Sequence, residues 1–319
     1  MNSGMSCSIR KRGNTVILDL VCGCDINRLD VFISNNCDDY SRSYFKTLIS
    51  NGNVTVNGIV VTKSGTPLSV GDKVSVIIPD PVSSDNEPQQ IPLDIVYEDE
   101  HLLVINKPQG MVVHPGAGHS DGTLVNALLA HCDGKLSDIN GVLRPGIVHR
   151  IDKDTSGLML ACKDNETHVK LAEMIANHEV VRMYRAIAYG VIKSEKGTID
   201  APIGRSSNDR RKMIVKGDGK YAVTHFEVKG RYCEATDLLL KLETGRTHQI
   251  RVHLHYIGHP VIGDPVYGTK KMSFGLEGQA LHSTSVDFIH PITGENMHFD
   301  CDIPEYYKEV LSRLTPLNI

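Results

Sequence analysis

The sequence predicts an α+β protein built as two domains, and three observations predict it. Two short helix patterns lead into a compact group of strand-like runs between residues 27 and 78. A stretch from Pro79 to Pro92 then carries four prolines among polar residues and has little to bury. Beyond it, β-like runs and helix patterns interleave along the rest of the sequence. The expected organisation is a small domain over 1–80, a linker over 81–92 and a larger domain over 93–319.

Bulk composition narrows the class before any motif is read. A chain of 319 residues with 40% apolar content is long enough for two domains and can bury a sizeable core. The first twenty residues are broken by Arg10, Lys11, Arg12 and Asp19. No segment approaches the roughly 18 uncharged apolar residues of a membrane span. A cytoplasmic protein with no membrane partner is expected. The sequence is silent on oligomeric state, and a monomer is the expectation. Eight cysteines are too scattered for a disulfide scaffold, and Cys22-x-Cys24 is too closely spaced for a zinc knuckle, so no metal is expected. The formal net charge of −4 speaks against nucleic-acid binding by bulk electrostatics, but not against a locally concentrated positive face.

In the small domain, Thr15–Val21 reads as a strand after a short basic run. Leu29, Phe32 and Ile33 recur at i, i+3, i+4, which predicts a helix over 27–34. Ser41 can cap a second helix reaching Ser50, whose Tyr44, Phe45, Leu48 and Ile49 form one apolar stripe, and Gly52 stops it. Asn57-Gly58 between β-branched runs predicts a hairpin on a two-residue turn, and the run over 71–78 supplies another strand. Arg-Leu-Asp at 28–30, Ser-Arg at 41–42, Gly-x-Val-x-Val-Asn-Gly at 52–58 and Gly-Asp-x-Val at 71–74 resemble, in order, the S4 RNA-binding domain. The resemblance implies that Arg28, Arg42 and Lys46 contact RNA backbone.

The larger domain opens with two strands flanking an acidic turn over 93–108 and a helix capped near Asp121 or Thr123. It is organised around the stretch from Gly146 to Leu160, which ends a β-like run, packs His149, Arg150 and Asp152 into four residues, and returns to apolar sequence at Leu158. A carboxylate between Arg150 and Lys153 is one whose ionised form is favoured, which suits a nucleophile or base. The same residue types also build turns, with Asp152 and Asp154 capping the backbone and Thr155, Ser156 and Gly157 as loop residues. A strand over 157–162, a helix over 165–177 and an alternating strand over 182–188 follow, the last carrying Tyr184.

The stretch from Arg205 to Met213 is the densest in positive charge. It places Arg210, Arg211 and Lys212 in a loop or hairpin, as a solvated charge run or as phosphate contacts. A strand ends near Leu242, Gly245 turns the chain, and Thr247 can cap a helix on which His248, Arg251 and His255 recur at i, i+3, i+7. No carboxylate or Cys completes a zinc site there. The tail from Leu281 carries no further chemical signal.

His-Arg-Ile-Asp-Lys-Asp-Thr-Ser-Gly at 149–157 resembles the His-Arg-Leu-Asp-x-x-Thr-Ser-Gly element of the RluA family of RNA pseudouridine synthases, departing only at Ile151. Asn-Lys-Pro-x-Gly at 106–110 resembles another family element, and Lys-x-Tyr-x-Ala is matched at 182–186 with Arg182 for Lys. So is Gly-Arg-Thr-His-Gln-Ile-Arg at 245–251, which continues through 258–268. Val-Val-His-Pro-Gly-Ala-Gly at 112–118 resembles the RluD-like branch.

The resemblance implies a catalytic domain on a mixed, mainly antiparallel sheet flanked by helices and loops, isomerising uridine to pseudouridine without a cofactor. It implies that Asp152 is catalytic, Arg251 its salt-bridge partner and Tyr184 the group against the target uracil. His149, Arg150 and Arg246 are then substrate-binding residues, with Arg150 filling the gap when the base is extruded. The branch implies large-subunit (23S) ribosomal RNA, in the helix 69 loop, as free RNA or in a precursor particle. A carboxylate can attack the sugar carbon, add to the base or abstract a sugar proton, and the sequence does not choose among these. The alternative class is a non-catalytic RNA-binding ribosome-assembly factor retaining the fold, against which the intact Asp152, Tyr184 and Arg251 speak.

Overall fold

The computed structural model describes residues 7–12, 15–37, 42–78, 87–115, 119, 121–141, 144–209, 212–268, 271 and 273–317. The chain divides into two compact units, residues 1–87 with 136–146 and residues 88–135 with 147–319.

The first unit packs two helices on one five-stranded sheet. Its elements are β1 (Cys7–Arg12), β2 (Thr15–Val21), α1 (Leu29–Ser34), α2 (Arg42–Ser50), β3 (Val54–Val56), β4 (Ile59–Val60) and β5 (Lys73–Ile78), with strand order β1-β2-β5-β3-β4. The apolar spacing of the helices is explained by the core they build: Leu29, Phe32, Ile33, Phe45, Leu48 and Ile49 pack with Leu18, Leu20, Val74 and Val76. The β3–β4 turn has positive φ at Asn57 (51°) and Gly58 (81°), as a two-residue Asn-Gly turn requires. Read from sequence only as a basic run, β1 pairs antiparallel with β2 from Cys7 opposite Leu20 to Arg12 opposite Thr15. Ser41, expected as a cap, lies outside the described residues.

The expected linker lies outside the described residues up to Asn86. Its last part belongs to the second unit, where the Gln89 N–H donates to Asn126 O at 3.0 Å and the Gly122 N–H to Gln89 Oε1 at 2.8 Å.

The strands of the second unit, in chain order, are β6 (Ile95–Glu98), β7 (Leu102–Lys107), β8 (Ser156–Cys162), β9 (Val181–Tyr189), β10 (Lys196–Asp200), β11 (Ile203–Arg205), β12 (Met213–Val215), β13 (Val223–Arg231), β14 (Ala235–Leu242), β15 (Leu281–Ile289) and β16 (Asn296–Asp300). Its helices are α3 (Leu124–His131), α4 (Asn165–Ala176), α5 (Gln249–Tyr256) and α6 (Glu305–Arg313). Among the described residues, nine strands form one sheet in the order β10-β13-β14-β9-β15-β8-β7-β6, with β16 on β15; within it only β15 and β8 pair in parallel. The mixed, mainly antiparallel sheet is thus the observed one. Thr123 caps α3 in a reciprocal box with Asn126, and the Asp164 side chain caps α4.

The tail without chemical signal supplies the strand that joins the halves of this sheet. β15 lies between β8 and β9, and α6 buries Tyr307, whose hydroxyl donates to Asp237 at 2.6 Å. Its parallel contact explains Gly157. That residue has φ +106°, and a Cβ there would lie 2.1 Å from Ser283 O, backbone that cannot yield. Gly157→Ala is expected to destabilise the protein by roughly 3 kcal/mol through strain and overlap. A melting temperature within a degree of wild type would contradict it.

Candidate active site

Asp152 sits in the loop between Ile147, which bridges to Ala161, and β8. The loop is anchored from several sides. His149 Nε2 accepts from the Leu160 N–H at 2.9 Å, and the Thr155 N–H donates to Asp152 O at 3.1 Å. Lys107, at the end of β7, is fully buried and donates to three carbonyls: Pro108 at 2.8 Å, Met111 at 2.8 Å and Lys153 at 3.0 Å. Burial pulls the Lys107 pKa down to about 7 against the charges of Asp154 and Asp152. Its three partners engage all three N–H groups of an ammonium. The residue after Asp152 is therefore tied to the Asn-Lys-Pro element.

Arg251, on the first turn of α5, is 4% exposed and bridges two carboxylates. Its Nη1 donates to Asp152 Oδ2 at 2.8 Å, while Nε and Nη2 form a fork on Asp264 at 2.7 and 2.9 Å. Asp264 Oδ1 also accepts from the N–H groups of Val266 at 2.8 Å and Tyr267 at 3.0 Å. Burial pushes the Asp264 carboxyl up, but the Arg251 hydrogen bonds and charge, with the two N–H groups, outweigh it and hold the pKa low. Burial also works against the Arg251 charge, and the two aspartates more than offset it. The Arg251 guanidinium lies 5.2 Å from the centroid of the Tyr267 ring.

His248 approaches Asp152 from the same side, with Nε2 3.8 Å from Oδ1. The Tyr267 hydroxyl accepts from the Met213 N–H at 2.9 Å and lies 2.9 Å from His248 Nδ1. That oxygen can give its own proton to Nδ1, and in that arrangement the imidazole proton sits on Nε2, facing Asp152. Burial, helped by Arg251 and opposed by Asp152, lowers the His248 pKa and favours this neutral form. Thr247 does not cap α5: His248 takes the cap position in a left-handed conformation, φ 57°, with no side-chain cap bond. Gln249 instead ties the helix start to the preceding turn, its Oε1 accepting from the Arg246 N–H at 2.9 Å and Thr244 Oγ1 at 2.7 Å. His248, Arg251 and His255 consequently do not share one helix line.

Tyr184 on β9 is 5% exposed, and its pKa is raised by burial against the nearby Arg182 charge and the Ser283 hydroxyl. It lines a pocket of about 530 Å³ together with His149, Arg150, Asp152, Arg246 and Arg251. That volume suits one nucleotide-sized group. His149 is kept neutral, burial and the Arg182 charge taking its pKa down to about 3. Arg150 is exposed, with Nη1 3.5 Å from His114 Nε2, and Arg246 Nε donates to Tyr221 O at 2.9 Å.

The remaining sequence-derived candidates lie elsewhere. Lys212 is in the loop between β11 and β12, outside the pocket lining, and Arg210 and Arg211 lie outside the described residues. Arg28, Arg42 and Lys46 belong to the first unit and converge on Asp30, at 3.0, 2.8 and 3.7 Å. Asp30 is fully buried; burial raises its carboxyl, but Arg28 and Arg42 overcome this and take it down to about 2. Among the described residues, no cluster of three or more His, Cys, Asp or Glu is arranged to hold a metal ion.

The RNA pseudouridylate synthase family profile matches residues 101–256, and the S4 domain profile residues 28–74. The RNA pseudouridine synthase YlyB of Bacillus subtilis is 49% identical over 287 residues, covering 90% of this chain and 94% of its own. The chain belongs to the RNA pseudouridine synthases. The ribosomal large subunit pseudouridine synthase D of Zymomonas mobilis is 50% identical over 87% of this chain and 90% of its own. The human RNA pseudouridylate synthase domain containing 1 structure superimposes with a TM-score of 0.59 at 25% identity, covering 72% of this chain and 91% of that one. As an RNA pseudouridine synthase, the protein carries its S4 domain in the first unit and the synthase fold in the second.

Sequence reasoning passed over Asp264, His248, Tyr267 and Arg182 as working residues of this synthase. Asp264 and Tyr267 lie in the continuation at 258–268, quoted as a match without a role; an Asp in an apolar Gly-rich turn was the available signal. Asp264→Asn is expected to cost about 3–5 kcal/mol, because Arg251 loses its fork partner in a buried setting. With its folded-state pKa below the ordinary 3.8, Asp264 contributes stability in full above about pH 4 and loses it as pH falls further. The variant's profile of melting temperature against pH should therefore be flatter on the acid side than that of wild type, and parallel acid limbs would refute this.

Proposed function

We propose that the protein isomerises uridine to pseudouridine in large-subunit (23S) ribosomal RNA, in the helix 69 loop, as free RNA or in a precursor particle. Asp152 acts as nucleophile or base, and no cofactor takes part. The observation that carries this reading is the partly open Asp152 carboxylate held by a buried arginine beside Tyr184 in a nucleotide-sized pocket. The names of the Zymomonas mobilis and Pseudomonas aeruginosa relatives, the latter 44% identical over 90% of this chain, support the ribosomal substrate.

The reaction breaks the bond between ribose C1′ and uracil N1, turns the uracil, joins C1′ to C5, and moves the C5 proton away while N1 regains one. No electrons are exchanged with a partner, so the site requires a carboxylate, a base-holding wall and exclusion of water. Arg251 fixes Asp152 by one oxygen and leaves Oδ1 for chemistry, with His248 Nε2 on that side. Tyr184 packs beside the uracil. Extrusion of the target costs a few kcal/mol, least in a loop, and Arg150 at the exposed edge takes the place of the departed base.

On this reading residues 1–80 form the RNA-anchoring domain and 93–319 the catalytic one, acting in the cytoplasm; no helix among the described residues is long and apolar enough to cross a membrane. Arg28, Arg42 and Lys46, each 46–47% exposed in its side chain, are held on Asp30 as one positive face for phosphates.

Asp152→Asn should lower tritium release from RNA labelled at uracil C5 by at least about 10³-fold with RNA binding unchanged. Full release by the variant would overturn the assignment, and free uracil in the wild-type digest would make the protein a glycosidase instead. Arg42→Ala and Lys46→Ala should each weaken RNA binding and reduce the slope of log affinity against log salt by about 1, with the rate at saturating RNA unchanged. An unaltered salt slope would remove the phosphate role from this face.

A further inference from the structure

Arg182 is the buried cation of the pocket that the assigned chemistry leaves unused. It is 5% exposed, its Nε is buried without a hydrogen-bond partner, and no carboxylate lies within ion-pair distance of it among the described residues. His149, kept neutral beside it, has its Nδ1 buried and unpartnered as well, its Nε2 being taken by the Leu160 N–H. Burying an unpaired guanidinium costs several kcal/mol, so a fold retains one where a ligand supplies the missing negative charge.

The surroundings are shaped for this group. Gly245 has no side chain, and a Cβ there would stand 3.2 Å from Arg182 Nη1. Four arginines line the pocket, Arg150, Arg182, Arg246 and Arg251, against the single lining carboxylate of Asp152, which Arg251 already engages. Arg150 is exposed and Arg246 partly so, as suits RNA phosphates, which stay hydrated at a rim. Arg182 is instead on the wall. It precedes Tyr184 by two positions on β9, so both side chains leave the same face of the sheet.

Resting on the proposed reaction, we infer that Arg182 binds the uracil itself and stabilises the negative charge it acquires when the bond to C1′ breaks. In that step the electron pair of the C1′–N1 bond stays on the uracil, spread over N1 and the carbonyl oxygens. C1′ is satisfied either by bonding to the Asp152 carboxylate or by loss of the 2′ proton to it. The charge is discharged when C5 bonds to C1′, as the Asp152 carboxylate leaves C1′ or returns the 2′ proton; the C5 proton then departs while N1 gains one, so the uracil stays neutral. A fixed guanidinium with no competing carboxylate is worth most to such a developing anion in a site of low dielectric.

The test compares wild type, Arg182→Met and Arg182→Lys on a large-subunit ribosomal RNA transcript tritiated at uracil C5. Single-turnover release, RNA affinity and melting temperature are measured for each. Arg182→Met should release tritium about 10²–10³-fold more slowly, with affinity nearly unchanged. Its melting temperature should be no lower than wild type, since an unpaired buried charge has been removed. Arg182→Lys should recover most of the rate. Weakened affinity with an unchanged rate at saturating RNA would make Arg182 a phosphate contact. A lowered melting temperature, or failure to fold, would make it a structural wall, and three unchanged readings would leave it no role; each overturns the inference. No release by the wild-type chain would overturn the parent reading, and this one with it.

Discussion

One guanidinium shared by two carboxylates in a nearly dry setting is the interaction on which the shape of the second unit's pocket depends. Arg251 spends two of its nitrogens on Asp264 and one on Asp152, which ties α5, the turn around 264–267 and the loop before β8 to one point. Removing any of the three leaves a charge unmatched where water cannot repair the loss. The two aspartates are not equivalent. Asp264 is saturated, with two bonds from Arg251 and two from backbone N–H groups, and its side chain is fully buried. Asp152 accepts from Arg251 on one oxygen, keeps the other open, and is 18% exposed in its side chain. Hydrogen-bond saturation thus separates an anchoring carboxylate from one with an oxygen to spare, without reference to sequence position.

The net charge of −4 and an RNA substrate are reconciled by where the charges sit. Affinity for a polyanion depends on the local field, and two places concentrate it. On the first unit, three cations share one buried aspartate, which aligns them at the loss of only one unit of charge. In the pocket, four arginines face one lining carboxylate. Acidic residues elsewhere, such as Glu98 with His131 and Lys163 or Glu227 with Lys196 and Lys229, are occupied in local pairs.

Much of the fold was legible because its signals are local. The helix stripes at 29–33 and 44–49, the Asn57-Gly58 turn and the apolar run of β8 are each set by residues within one or two turns of chain. The pairing of Asp152 with Arg251, ninety-nine positions apart, was reachable only through family likeness, since no periodicity links a loop to a distant helix. What escaped was non-local. β1 alternates only over Cys7-Ser8-Ile9 before three cations, too short a signal to read, and β15 looked like tail although it completes the sheet. Asp264 and Arg182 resembled ordinary charged residues until burial and partners were known. Thr247 was a reasonable cap by type, but the helix begins one residue later than such a cap requires, with His248 in the cap position.

The walls of the pocket also bear on why the reaction ends in rejoining. A detached uracil must stay long enough to present C5 to the sugar, and must turn while it stays. Leu242, Ile250 and Leu281 line the pocket alongside Tyr184, and such side chains hold a flat ring by contact without fixing its in-plane orientation. A ring of hydrogen-bonding side chains matched to one pose would resist that rotation. A wall that mixes charged side chains with apolar ones opposes escape to water more than it opposes turning. On the proposed reading, the same pocket that would permit cleavage of the glycosidic bond favours isomerisation over release.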